Sequence, residues 1–431
     1  MKNNIPVIVL RSNDNCFLDI LRACASAGIK TIPVIFTWEG AAPWNSEASC
    51  FFKDAFTIAN PASDEEQAKN DMIQIGKMMF QKYGQKLLVI SSSDTNLFFM
   101  QKYFADFSPY FLQMGHGNFD ENCIRELRKD SSAQLLLKGG VDIPLTYPVI
   151  KEEQIEYAVE HITYPCVYKP VYKDLTSSFQ NTHNKKKAIE CSTSEELREL
   201  LYKEVKNGFE LIVQEKIDFD SLEDEVSCYV YSNQHGEIIA ISGQHKIMEH
   251  PHPYGTGVVS CPYMDSEFLE IAKKIVNAYQ WRGFLGIEFM RNRKNNKWVV
   301  IEINLRPWIS VNFQAMIGYN YIKYLYEDFY DIKRETCNIM QEGSMSIYRV
   351  NLTLLLQKEV SEQKDVSKAL SNIKTFLQKH MGKIIFSYYI KEDSVPGEIE
   401  KNNFMLMYPD KESEIKEIFE LVVENNKVFS C

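Results

Sequence analysis

The ten cysteines stand singly, at Cys16, Cys24, Cys50, Cys123, Cys166, Cys191, Cys228, Cys261, Cys337 and Cys431. No CxxC pair occurs and no Cys/His cluster has metal-binding spacing, which excludes a zinc module or a dithiol redox motif as the organising feature. No apolar stretch has the length that a bilayer-spanning helix needs. Positive charge is not in excess: the formal net charge is -10. That speaks against a general nucleic-acid or membrane-surface binder, both of which need concentrated positive charge. The first apolar run, Pro6 to Leu10, is not followed by a Gly-rich dinucleotide fingerprint, so a nicotinamide-binding domain is not expected. Internal repeats and low-complexity tracts are also missing. The opening MKNNIPVIVLRSND has a short apolar run broken at once by polar residues, and reads as a first strand and not as a signal peptide. Together with the scattered cysteines it fits a reduced, cytoplasmic setting.

What is present is organised. A length of 431 residues leaves room for two or three domains. Pro6 to Leu10, Thr31 to Phe36 and Lys86 to Ile90 read as buried parallel strands. Between them lie a helix from about Cys16 to Ala27 and another opened by the capping-box pattern Ser63-Asp64-Glu65-Glu66 and closed near Gly84. This alternation predicts a doubly wound domain over residues 1–118. Residues 120–165 read as helical, with a turn at Gly139-Gly140. From 166 the pattern changes to hairpins and helices: CVYKPVY as a strand, a helix capped within Ser192 to Glu196, the strand ELIVQEKI, and a hairpin through Gln234-His235-Gly236. These features place a second domain at 119–334 and a smaller α/β segment at 335–431. The expected class is mixed, α/β and α+β.

The most informative stretch is 283–308, GFLGIEFMRNRKNNKWVVIEINLRPW. Two strands flank a polar turn, and side chains alternate between faces. Leu285, Ile287 and Phe289 fall on one face; Val299, Ile301 and Ile303 are expected on the same side. The opposite face carries Glu288 on one strand, and Glu302 with Asn304 on the other. A hairpin symmetric about Asn295 sets Glu288 directly across from Glu302. Opposed carboxylates destabilise a strand pair, and a divalent cation between them reverses that sign. The all-oxygen set Glu288, Glu302 and Asn304 suits Mg²⁺ or Mn²⁺. Arg306, just beyond, adds a fixed cation.

With these residues in hand, the sequence resembles the ATP-grasp superfamily over roughly residues 125–320. TYPCVYKPVY resembles the strand that carries a nucleotide-binding lysine, here Lys169. LIVQEKI resembles the hinge strand that meets the adenine edge, here Gln214, Glu215, Lys216 and Ile217. GIEFM and IEINLRPW resemble the two metal-ligand strands. The resemblance further implies a ribose-binding acid, best matched by Glu225, a γ-phosphate lysine, Lys246, and phosphate contacts from Ser177 and Ser178. The segment 242–257 resembles the family's flexible substrate loop, with Gly255-Thr256-Gly257 able to approach an anion; His245, His250 and His252 are read as loop histidines. Two departures stand out. The usual Asp-Lys pair ahead of the central domain is replaced by Lys129-Asp130-Ser131, where Lys129 is the substitute. The phosphate loop KDLTSSFQNTHNKKK, 173–187, has no glycine.

Within the superfamily the pattern is similar to the carboxylate–amine ligases that include D-aspartate ligases. The resemblance implies ATP with Mg²⁺ (or Mn²⁺), activation of a carboxylate as an acyl phosphate, and transfer to an amine, both substrates being amino acids or peptides. Arg306 and Lys246 are the implied catalytic residues. Ser92, Ser93 and Asp94 are placed in the acyl-substrate pocket by the same analogy. No nucleic-acid or membrane partner is expected, and a homo-oligomer is left open. A phosphotransferase on the same fold, or a nucleotide-binding module without turnover, are the alternatives.

Overall fold

The structure is a computed structural model that describes residues 5–12, 14–37, 45–116, 128–172, 178–179, 181–183, 186–219, 221–253, 255–333 and 337–429. Strands β1 (Val7–Arg11), β2 (Thr31–Phe36), β3 (Phe56–Ile58), β4 (Leu87–Ser91) and β5 (Phe111–Leu112) form an all-parallel sheet in the order β3-β2-β1-β4-β5. β1 and β4 are buried at every position, as continuous apolar runs require of strands covered on both faces. Helices α1 (Asp14–Ser26), α2 (Glu65–Tyr83) and α3 (Asp94–Lys102) connect or cover them. Three strands were legible and five are found. β3 and β5 have three and two residues, too few to show a period. The N-cap of α2 is Asp64 and not Ser63: its carboxylate accepts from the Gln67 N–H at 3.1 Å. The helix ends at Gly84 as expected, with φ 69°. Because the chain turns from β1 towards β2 and β3, then returns to β4 and β5, the topological switch point lies between β1 and β4.

β6 (Gly115–His116) leads out of this region. A second sheet follows, from β7 (Thr146–Val149), β8 (Cys166–Pro170), β9 (Ile189–Cys191) and β10 (Leu211–Glu215), in the antiparallel order β7-β10-β8-β9. Helices Ile155–His161 and Ser194–Lys206 cover it. The all-helical reading of 120–165 is corrected here, since β7 separates helix Lys129–Lys138 from helix Ile155–His161.

The largest sheet has ten strands. Its path uses β11 (Glu225–Ser232), β12 (Ile238–His250), β13 (Thr256–Met264), β14 (Trp281–Asn292) and β15 (Lys297–Asn304). Beyond these come β16 (Asn338–Ile339), β17 (Gly343–Ser344), β18 (Tyr348–Val350) and β19 (Ile384–Phe386). The order is β15-β14-β11-β12-β13-β18-β19, with β16 on β12, β17 on β13 and β6 on β14. The sheet therefore continues past residue 335 through β18 and β19. A buried ion pair ties this last segment to α1: Arg22 Nε donates to Asp393 Oδ2 at 2.9 Å, and its Nη1 and Nη2 donate to the carbonyls of Ser387 (2.8 Å) and Tyr388 (2.7 Å). Among the described residues no helix is long and apolar enough to cross a membrane.

Candidate active site

The site is assembled from cross-strand rows on one face of the large sheet. In the middle row Gln244 lies beside Ser227, Ser227 beside Glu288, and Glu288 beside Glu302. The expected opposition of the two glutamates is thus present. Two residues further along runs Ser242, Tyr229, Gly286 and Asn304. Gly286 leaves only a hydrogen there; a Cβ would sit 3.4 Å from the Asn304 Cβ. On the other side of the middle row stand Lys246 and Glu225, then Met290 and Val299.

One expectation about this hairpin is corrected. The register shifts between Glu288 and Phe289, so Phe289 pairs with Val300 and Met290 with Val299. This is a bulge at Ile301. Trp298 and Val300 turn to the main core with Ile303, while Val299 and Ile301 join Ile217 and Met290 in a small apolar cluster. The bulge turns two aliphatic side chains from the core side to the site side.

Opposite this face, helix Lys129–Lys138 and the second sheet close a cleft enclosing about 460 Å³, partly open to solvent. Lys169, Gln214, Glu302, Ile301 and Lys129 all line it. Lys129 is therefore not displaced from the site; its Nζ donates to the Pro170 carbonyl at 2.8 Å, beside Lys169.

Ser227 Oγ donates to Glu288 Oε2 at 2.7 Å. Burial is the main cause that lifts the Glu288 carboxyl above its ordinary pKa; Glu225 and Glu302 add to it, and Lys246 and Ser227 oppose it. Burial works against the charge on Lys246, but Glu225, Glu288 and Glu249 outweigh it and hold its pKa above the ordinary value. Lys246 Nζ donates to Glu225, to Glu249 Oε2 at 3.3 Å and to the Gly255 carbonyl at 3.1 Å. Glu225, expected at a ribose, is here the partner of Lys246. Arg306 donates from Nε and Nη2 to Asp94 Oδ2, both at 3.0 Å, from Nη1 to the Pro307 carbonyl at 2.9 Å, and from Nη2 to Asn304 Oδ1 at 3.4 Å. Burial disfavours its charge, and the neighbouring Asp94 more than restores it. Trp308 stacks on Tyr229 with centroids 3.9 Å apart and planes 8° apart.

The remaining expected residues divide. Gln214 Nε2 donates to Thr146 Oγ1 at 3.0 Å. The Glu215 N–H donates to the Leu145 carbonyl at 2.8 Å, which leaves residues 216 and 217 as the adenine-facing backbone of that hinge. The Lys216 side chain turns away to Glu190 Oε1 at 2.6 Å. Ser178 is exposed, and Ser177 lies outside the described residues. The substrate-loop reading of 242–257 is corrected: β12 and β13 take up most of it. His245 is a buried strand residue whose Nε2 lies 2.7 Å from Cys261 Sγ. His250 ends β12, and His252 Nδ1 sits 2.8 Å from Glu249 Oε1. Ser227 was missed, although alternation along Glu225, Ser227 and Tyr229 places it on the carboxylate face.

Two paired acids and a carboxamide form an all-oxygen donor set, and burial with a like charge opposite leaves Glu288 short of positive charge. These residues fit a hard divalent cation. Among the described residues no group of three or more His, Cys, Asp or Glu side chains is arranged to hold a metal, a test that does not count asparagine.

A parallel-sheet unit followed by two antiparallel sheets that enclose such a cleft is the ATP-grasp architecture. No known family model matches the sequence. The sequence is 23% identical over 267 residues to D-aspartate ligase of Enterococcus faecium (strain Aus0004), a match covering 60% of this chain and 62% of that protein. The chain thus spans about three fifths of that curated relative's length. In fold it is similar to the ADP complex of PurK, N5-carboxyaminoimidazole ribonucleotide synthetase, with TM-score 0.59, 14% identity and 86% of each chain covered. It is also similar to the biotin carboxylase domain of Hydrogenobacter thermophilus 2-oxoglutarate carboxylase (TM-score 0.57, 15% identity, 80% of this chain and 73% of that one). A third similar structure is the Staphylococcus aureus N5-carboxyaminoimidazole synthetase with ADP (TM-score 0.58, 13% identity, 79% and 81%).

Proposed function

We propose that this chain is an ATP-dependent ligase that joins a carboxylate to an amine through an acyl phosphate. The observation that carries the reading is the row Glu288–Glu302 with Asn304 and Arg306 beyond it, facing a cleft lined by Lys169 and Lys129. The D-aspartate ligase likeness supports it from sequence, and the shared fold from structure.

The apolar cluster of Ile217, Met290, Val299 and Ile301 receives the adenine, against the backbone of 216–217. Lys169 and Lys129 meet the phosphates nearer the base, where ammonium groups act as point charges. Lys246, held by Glu225, is positioned to reach the γ-phosphate. Glu288, Glu302 and Asn304 would hold Mg²⁺ or Mn²⁺, which when bound neutralises charge on the terminal phosphates. A carboxylate oxygen then attacks the γ-phosphorus in line and the bond to the ADP oxygen breaks. The amine adds to the acyl carbon, and inorganic phosphate leaves with its bonding electron pair. Arg306 faces the oxygen on which negative charge grows in that second step. Ser227 keeps the Glu288 carboxylate turned towards the face where the phosphates lie.

The test is release of ADP and phosphate with pooled amino acids and small peptides. Release that requires both a carboxylate and an amine supports the ligase. Release that needs only one acceptor and yields a phosphorylated product would replace it with a phosphotransferase.

A further inference from the structure

We infer that Asp94 is a specificity-determining residue that binds the ammonium group of the acid being activated, so that the acid at Arg306 is a free amino acid. The inference rests on the ligase reading above and adds the substrate's second charge.

The place is set by topology. In an open parallel sheet, ligands bind beyond the carboxyl ends of the strands at the switch point, which here is between β1 and β4. Ser12 follows β1, and Ser92, Ser93 and Asp94 follow β4. The two strand ends are tied together: the Ser12 N–H donates to Ser92 Oγ at 3.0 Å, and Ser12 Oγ donates to Ser93 Oγ. Arg306 enters this same spot from the large sheet, two residues past Asn304. The switch point of one sheet and the polar end of the other therefore meet at the Asp94–Arg306 pair. α1 also reaches it, with Cys16 Sγ 3.4 Å from the Pro307 carbonyl.

The charge balance then restricts what can bind. The side chains of Arg306 and Asp94 are 20% and 15% exposed. Asp94 already occupies the Nε–Nη2 edge of the guanidinium, the edge that a planar carboxylate would take. A plain carboxylate arriving there displaces Asp94 and leaves a largely buried anion without its cation, which is strongly unfavourable. An amino acid avoids that outcome. Its carboxylate takes Arg306, its ammonium takes Asp94, and the site stays neutral. The other nearby acid of α1, Asp19, is already engaged by the Asn312 N–H at 3.4 Å and lies beside Arg349 and Arg22. The serine hydroxyls of 12, 92 and 93 are neutral and supply no counter-charge.

The experiment uses hydroxylamine to trap the acyl phosphate as a hydroxamate, so that no native amine is needed. The full chain is given ATP, Mg²⁺ and each D- and L-amino acid, beside its des-amino counterpart: succinate for aspartate, propionate for alanine. The wild type should form hydroxamate from an amino acid and far less from the matching des-amino acid. Asp94→Asn should reduce that preference by about tenfold to a hundredfold, the range for losing a charged hydrogen bond. The KM for ATP should stay near the wild-type value, and Asp94→Glu should recover part of the preference. Equal loss with both acids would show that Asp94 merely positions Arg306 and would overturn the inference, as would wild-type turnover of the des-amino acid alone or equally well. Absence of both hydroxamate and ADP with every acid would instead bring down the ligase reading, and this inference with it.

Discussion

Replacing Glu302 by Gln should move stability and activity in opposite directions. In the metal-free protein Glu302 lies directly across the strand pair from Glu288, whose carboxyl is already pushed up by burial and by that neighbour. Like charges in direct opposition destabilise a strand pair by up to about 1 kcal/mol. Glutamine keeps the shape and removes the repulsion, so the metal-free variant should unfold at a higher temperature than the wild type. Mg-ATP reverses the order. A ligand at a hundredfold excess over its dissociation constant stabilises the folded state by about 2.7 kcal/mol, and the variant forfeits much of that. Losing a metal carboxylate removes several kcal/mol of charge stabilisation, so turnover should drop at least about a hundredfold. Thermal unfolding of both proteins, each with EDTA and with Mg-ATP, gives the ranking, and ADP release gives the rate. Because the chain has several sheets, midpoints are compared as a ranking and not converted to free energies. If the variant melted below the wild type without metal and kept near wild-type turnover with it, the opposed pair would have no part in metal binding.

Three other perturbations test separate parts of the structure. Burial lifts the Glu400 carboxyl to about 7 from an ordinary 4.5. The folded chain then holds a proton that the unfolded chain has lost, and stability falls as pH rises between those values. Glu400→Gln can still accept from the Thr353 N–H and Oγ1, so its melting midpoint should match the wild type near pH 4.5 and exceed it at pH 8; parallel curves would contradict this. A Cβ on Gly243 would come within 2.4 Å of the Tyr263 carbonyl oxygen, whereas one on Gly257 meets Lys246 Cγ at an ordinary 3.5 Å. Gly243→Ala should cost about 1–3 kcal/mol and lower the midpoint, with Gly257→Ala as the tolerated control. Arg22→Met leaves the Asp393 carboxylate buried without its cation and should cost about 3–5 kcal/mol. Adding Asp393→Asn to it should recover part of the loss in a double-mutant comparison by denaturant unfolding.

Local patterns were readable wherever a single strand or hairpin carried the information. β1 and β4 declare themselves as uninterrupted apolar runs, and the Glu288–Glu302 opposition follows from alternation and a short polar turn. The turn half of the same hairpin was misread because alternation was carried across Ile301. Nothing local marks the bulge. The Val300 N–H donates to the Asp142 carbonyl at 2.9 Å, a contact between segments far apart in sequence, and it accompanies the shift that turns Val299 and Ile301 towards the cleft. Lys129 shows the same limit. By sequence it stood out as a departure from a motif, yet the helix that starts at Lys129 sets it beside Lys169. His245 was assigned to a loop because prolines follow it, but β12 runs on to His250 and buries the ring against Cys261.

The row arrangement explains why such a site can tolerate a glycine-free phosphate loop. Rows on one sheet face are two residues apart, so the apolar, carboxylate and polar rows span about 13 Å along the strands. Within that span the face changes from Met290 and Val299, through Glu288 and Glu302, to Asn304 and Tyr229. The order of base, phosphate and acceptor is thus fixed by residues on paired strands, which hold geometry better than loops do. What the sheet alone does not supply is the acceptor's counter-ion, and that comes from the carboxyl edge of β4 through Asp94. Relative movement of the parallel sheet against the large sheet would therefore change acceptor recognition before it changed nucleotide binding. Weakening the Arg22–Asp393 tie, far from Arg306 in sequence, should raise the KM for the acid more than the KM for ATP. Steady-state kinetics of Asp393→Asn would check this, and equal changes in both constants would count against it.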